Sequence, residues 1–198
     1  MTMALRQPHT EAKLLTEAEL MALGSDAWVE VLDGRLVDRP PNGLLHQVIA
    51  ANVLRALDVF VRAQDLGFVF PDGLLYLLDA NARGVNGAQV PDVSFVRVGR
   101  LPADYDLRRP FPGAPDLAVE VVSPGDDIAV LLYRVRRYLA FGTEQVWVVY
   151  PEPGELHQYR HDDPAVVTYQ RGDTLDAGAL LPGFTLPLDA VFRLPGMG

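Results

Sequence analysis

At 198 residues, 49% of them hydrophobic and without a long polar low-complexity tract, the chain is long enough to bury one substantial core, which points to a single domain. Zero cysteines exclude disulfides and thiolate metal sites and leave carboxylates, carbonyls and imidazoles as ligands, a set that suits Mg²⁺ or Mn²⁺. The net charge of −9 argues against non-specific affinity for nucleic acid, because phosphate binding depends on Lys and Arg displacing condensed counterions.

A local basic groove stays open within that balance, from Arg97, Arg100, Arg108 and Arg109 or from Arg134, Arg136 and Arg137; an ordinary solvated face is the alternative. No apolar run reaches the roughly 18 residues needed to span a bilayer, and the N-terminus lacks a signal peptide's apolar stretch and cleavage site. A soluble, cytoplasmic protein without membrane contact is expected.

The first fifteen residues lack periodicity and are expected to form a flexible arm, with one domain over 16–198. Thr16 with Glu19 resembles a capping box that opens a short helix. The run from Trp28 to Leu32, then Asp33-Gly34 and Arg35 to Val37, predicts a hairpin, because Asp-Gly favours a two-residue turn. From Leu45 to Ala63 apolar residues recur at helical spacing, with Gly67 as the expected stop. Short strands are expected over Phe68–Phe70 and Leu74–Leu78 around Pro71-Asp72-Gly73, then a Gly/Asn loop from Asn81 to Gly87. Val90 to Val96 reads as a strand with Pro91 near its start.

After a Pro-rich, Arg-containing loop over 101–115, Leu117 to Val122 forms a nearly unbroken apolar run, the pattern of a strand covered on both faces. Ser123-Pro124-Gly125-Asp126 makes a turn and offers an N-cap to an amphipathic helix through Leu139, stopped by Gly142. Strands over 145–150, 156–159 and 166–169 follow, and the segment from Leu180 to Phe192 is expected to pack across the sheet. This order predicts an α/β domain around a mixed central sheet, with an N-terminal hairpin and extra C-terminal strands.

Glu120 is the only charge in its strand, and an ionised group away from water must be paired, bound to a cation or kept protonated. One account is a buried salt bridge to an arginine of the following helix. Asp92 offers another, since it stands beside Glu120 if their strands are neighbours, and two close carboxylates repel unless a cation joins them. Taken alone, Asp92 fits a turn.

These residues resemble the Uma2 family (DUF820) of the PD-(D/E)XK nuclease superfamily. The resemblance rests on Val29 to Gly34, His46, Val90 to Val96, Pro115 to Pro124, Tyr138, Gly142, Val146 to Val149 and Pro151, and covers Leu15 to Phe192. It implies a restriction endonuclease-like core in which Asp92 and Glu120 bind Mg²⁺ or Mn²⁺, the Val121 carbonyl adds a ligand, and phosphodiester bonds of nucleic acid, DNA first, are hydrolysed. Homodimers are the family's general habit.

The superfamily's lysine two positions after the Glu is replaced here by Val122, and no Lys follows Lys13. Arg134, four positions before Tyr138, stands where the family carries a substitute lysine; it keeps the charge but cannot act as a general base. A snorkelling helix-flank residue is its plain alternative. His46, Glu30 and Gln89 are auxiliary candidates, against readings as a helix-start histidine, a solvent-facing hairpin acid and a polar loop end. His157 and His161 are poorly spaced for a shared metal. A catalytically weakened binding domain and a purely structural α/β module remain open beside the nuclease.

Overall fold

The computed structural model describes residues 13–24, 28–194 and 196. Most of the expected N-terminal arm, 1–12, lies outside them. Leu14 and Leu15 within that arm are docked: Val85 donates its N–H to the Leu15 carbonyl at 2.7 Å.

The helix α1 (Glu17–Met21) carries the capping box, with the Thr16 side chain accepting the Glu19 N–H and the Glu19 carboxylate accepting the Thr16 N–H. The hairpin β1 (Val29–Leu32) and β2 (Arg35–Asp38) turns on Asp33 and Gly34, both at positive φ as a two-residue hairpin turn requires. Next comes α2 (Leu44–Ala63). Its C-cap is Gln64, followed by Asp65 at φ +53, whereas Gly67 opens the next strand and so is not the stop the sequence suggests. By length and a mean hydropathy of 1.5, α2 could cross a membrane on composition alone, which corrects the expectation of no such segment. In the fold it is a core helix, with Ile49, Val53, Leu57 and Val61 almost fully buried.

Two larger sheets follow. One has the order β2-β1-β5-β4-β7, where β4 is Tyr76–Asn81, β5 Gly84–Gln89 and β7 Phe111–Pro112. The other has the order β11-β10-β9-β8-β6-β3, with β3 Gly67–Pro71, β6 Val93–Arg97, β8 Leu117–Val121, β9 Gln145–Tyr150, β10 Glu155–Arg160 and β11 Val167–Gln170. Within it β8 and β9 run parallel and the other pairings are antiparallel. The strands expected around Pro71-Asp72-Gly73 therefore exist but enter different sheets.

The expected 81–87 loop is instead mostly β5, paired to both β1 and β4. Its glycines hide it from a propensity reading. At Gly84, φ +132, a side chain would meet Leu14 and the Leu15 carbonyl, so the missing Cβ is what lets the N-terminal segment lie against this strand.

Side-chain alternation on β8 sorts the core into two faces. Leu117, Val119 and Val121 pack under α2 with the C-terminal segment, while Ala118 packs under α3 (Ile128–Ala140) with Val135 and Tyr138. Alternation places Glu120 on the α3 side. The cap of α3 is Asp127, which accepts the Ala129 N–H; Asp126 instead closes the preceding turn by accepting the Ser123 N–H. The small sheet of β12 (Thr174–Asp176) and β13 (Thr185–Pro187) and the helix α4 (Leu188–Val191) complete the α2 side, where Phe184 stacks on Trp147 at 6.2 Å between centroids.

Candidate active site

Glu120 and Asp92 meet because β6 and β8 are hydrogen-bonded neighbours. Their register pairs Val93 with Val119, and Asp92 and Glu120 lie one step beyond that pair. Asp92 precedes β6 at a bend and gives its N–H to the Val119 carbonyl at 3.0 Å. Its Oδ2 accepts the Val121 N–H at 2.7 Å and lies 3.1 Å from His46 Nε2 on the first turn of α2. Both carboxylates are buried, Asp92 at 5% and Glu120 at 3% exposure.

Glu30 comes to the same place from β1 in the other sheet. It is buried, which rules out the solvent-facing reading, and its Oε1 accepts the Val90 N–H at 2.8 Å. Arg134, on the α3 face above β8, places Nη2 2.9 Å from Glu30 Oε1, 3.0 Å from Glu120 Oε1 and 3.3 Å from the Val90 carbonyl oxygen. It is a paired, largely buried residue and not a snorkelling flank. Glu30, His46, Asp92, Glu120, Val121 and Arg134 all line one cleft of about 240 Å³.

Gln89 does not line this cleft. It is fully buried on β5, with neither side-chain amide atom hydrogen-bonded among the described residues. His157 stands 3.4 Å from Glu155 and His161 3.0 Å from the Leu139 carbonyl oxygen, so the two histidines have separate surroundings.

Two residues of the site escape a sequence reading. Arg39, from the end of the hairpin, lies 2.9 Å from Asp72, 3.8 Å from Glu30 and 3.9 Å from Asp92, so it joins the acids of both sheets. Asp72 sits in the β3–β4 turn. Neither has a local signal beyond the fixed backbone of Pro40-Pro41 after Arg39. Most arginines of the expected basic groove are matched by acids: Arg97 and Arg100 face Asp116, Arg108 faces Asp106, Arg109 faces Glu17, and Arg137 faces Asp33 and Asp79, while Arg136 is exposed.

Burial pushes the Glu120 carboxyl up; Arg134 pulls it back and the charges on Asp92 and Glu30 add to the rise. Burial works the other way on Arg134, but Glu120 and Glu30 outweigh it and hold the guanidinium firmly charged. Removing ions from water is costly, and apolar side chains of the same volume would serve stability at least as well. The oxygen donors of Asp92, Glu120 and Glu30 suit a hard divalent cation. Among the described residues no three His, Asp or Glu side chains form a ready metal-holding group; Arg134 Nη2 stands between two of the acids instead. Among the described residues His46 Nδ1 and Arg134 Nε are buried without a protein partner.

A family model described as Uma2, "putative restriction endonuclease", matches residues 15–189. No curated protein matches the sequence. Among solved structures, a "putative nuclease belonging to DUF820" from Anabaena variabilis superposes with a TM-score of 0.75 at 18% identity, over 90% of this chain and 97% of that one. At that identity the likeness is one of fold, and it agrees with the restriction endonuclease-like core expected from the motifs.

Proposed function

Because the chain belongs to the Uma2 family, we propose that it is a metal-dependent nuclease that hydrolyses phosphodiester bonds of DNA, with Asp92 and Glu120 holding Mg²⁺ or Mn²⁺ and the Val121 carbonyl as a further ligand. The observation that supports this most directly is the pairing of two buried carboxylates from adjacent strands in one open cleft. The ion, when bound, would acidify a water molecule and offset charge on a phosphate oxygen.

The chain's own residues supply the rest. His46 and the Val121 N–H fix the Asp92 carboxylate from two directions. Arg39 and Arg134 bring positive charge to the cleft for a phosphate that develops charge as the bond breaks. Neither arginine can take a proton from water, because a guanidinium stays charged at any working pH. The same reading has the protein acting in the cytoplasm as a homodimer, a state that light scattering across a concentration range would read.

A second reading, a catalytically weakened domain that binds nucleic acid or protein, draws on one observation: the residue in the lysine's place, Arg134, is already engaged by Glu120 and Glu30. Calorimetric titration with Mn²⁺, beside Asp92→Asn and Glu120→Gln variants, separates the two when followed by a cleavage assay on single-stranded and duplex DNA. Saturable binding lost in both variants, with cleavage lost alongside, is the expected result. Binding without cleavage of any substrate would favour the weakened domain, and no binding would remove the metal-dependent reading.

A further inference from the structure

We propose that Arg134 is the cleft's own counter-cation: its guanidinium engages Glu120, one of the two carboxylates that would hold the divalent ion, together with Glu30, and the two cations compete for Glu120. The inference rests on the metal-dependent reading and adds the regulation of that site.

The contact pattern of Arg134 carries the argument. An arginine committed to a carboxylate usually engages it with two parallel N–H groups of its planar fork. Here a single nitrogen, Nη2, faces two carboxylate oxygens and one carbonyl oxygen, at 2.9, 3.0 and 3.3 Å. The Nε of the same group is buried without a partner among the described residues. One positive centre ringed by oxygens from three segments of chain is how a hard cation is held, and a poor use of a guanidinium's fork.

Charge points the same way. Among the described residues Glu30, Asp72, Asp92 and Glu120 face two guanidiniums, Arg39 and Arg134, and the His46 ring, so the acids outnumber the cationic groups beside them with Arg134 in place. A divalent ion in its stead brings the cluster closer to balance. Distance explains why no metal-holding group is ready-made: the guanidinium holds its oxygens about 3 Å away, whereas Mg²⁺ draws its ligands to about 2.1 Å. The side chain lines the cleft and keeps 18% of its surface in solvent.

A fixed structural ion pair is the competing account, and it makes the opposite forecast for metal. Wild type, Arg134→Gln, Arg134→Met and Arg134→Lys are each titrated with Mn²⁺ by calorimetry and melted with and without it. The counter-cation account expects Arg134→Gln and Arg134→Met to bind Mn²⁺ more tightly than wild type by about tenfold or more, the scale on which neighbours of a metal site shift its affinity. Their melting temperatures, lowered without metal, should recover when Mn²⁺ is added. Arg134→Lys, which keeps the charge, should stay near wild type.

Equal or weaker binding by the neutral variants, with no thermal recovery, would overturn the inference while leaving the wild-type metal site standing. Absence of binding in wild type and neutral variants alike would remove both. If Arg134→Gln does not fold alone, refolding it in Mn²⁺ asks the same question: recovery of folded protein supports the counter-cation, and continued aggregation sinks it.

Discussion

The Val121 N–H donates to Asp92 Oδ2 at 2.7 Å, so the strand that carries Glu120 also orients the second acid of the cleft. Removing that acceptor leaves a buried backbone donor unpaired. Asp92→Ala should lower stability by about 1–3 kcal/mol, and Asp92→Asn, whose side-chain oxygen still accepts, should lower it less. Urea unfolding of the two variants checks this; equal losses would mean the hydrogen bond contributes nothing of its own.

His46 Nε2 lies 3.1 Å from Asp92, and its other ring nitrogen is buried without a protein partner among the described residues. Replacing it with alanine should weaken Mn²⁺ binding by about 10–100-fold while the fold persists, the usual effect of losing a group that orients a ligand. Calorimetry with far-UV circular dichroism reads both. Unchanged affinity would reduce His46 to a buried helix-start residue.

Away from the cleft, the Arg97 guanidinium holds the Glu144 carboxyl below the usual carboxylate range, chiefly by hydrogen bonding. A depressed carboxyl stabilises the fold above its unfolded value and loses that contribution as pH falls through the folded one. The stability difference between wild type and Glu144→Gln should therefore be largest near neutrality and shrink between about pH 5 and pH 3. Denaturation midpoints at three pH values test it, and a constant difference would contradict it.

Within α2 two positions should behave oppositely. Leu57 is fully buried, and Leu57→Ala should cost about 2–5 kcal/mol through lost burial and the cavity left behind. Val59 is 72% exposed, and Val59→Ala should stay within about 0.5 kcal/mol. Comparable losses at both would place a partner surface over the exposed side of this helix.

The two acids of the cleft are legible in sequence because each breaks a local rule: Glu120 interrupts an apolar strand, and Asp92 follows a proline just before another. Glu30 and Arg134 are legible only as candidates. Each sits on an element whose local pattern is satisfied whether or not the residue is used, and only the meeting of two sheets decides. Arg39 and Asp72 leave no trace, since one ends a hairpin, the other lies in a turn, and their contact spans 33 positions. β5 was hidden for a different reason: its glycines lower strand propensity in order to admit Leu14 and the Arg137 guanidinium. The cap at Asp127 shows the ordinary uncertainty of one residue between two adjacent aspartates.

Arg134 touches Glu30 across 104 positions of chain, with the hairpin, both large sheets and both long helices contributing to one cleft. No excised fragment holds the whole set. A chain that had folded its six-stranded sheet but not yet docked the hairpin would own Asp92 and Glu120 without Glu30 or Arg39, and so would be electrically unfinished. The complete cleft is thus a property of the docked sheets, and in that partial state the two acids that would hold the ion stand without the charges that surround them in the finished fold.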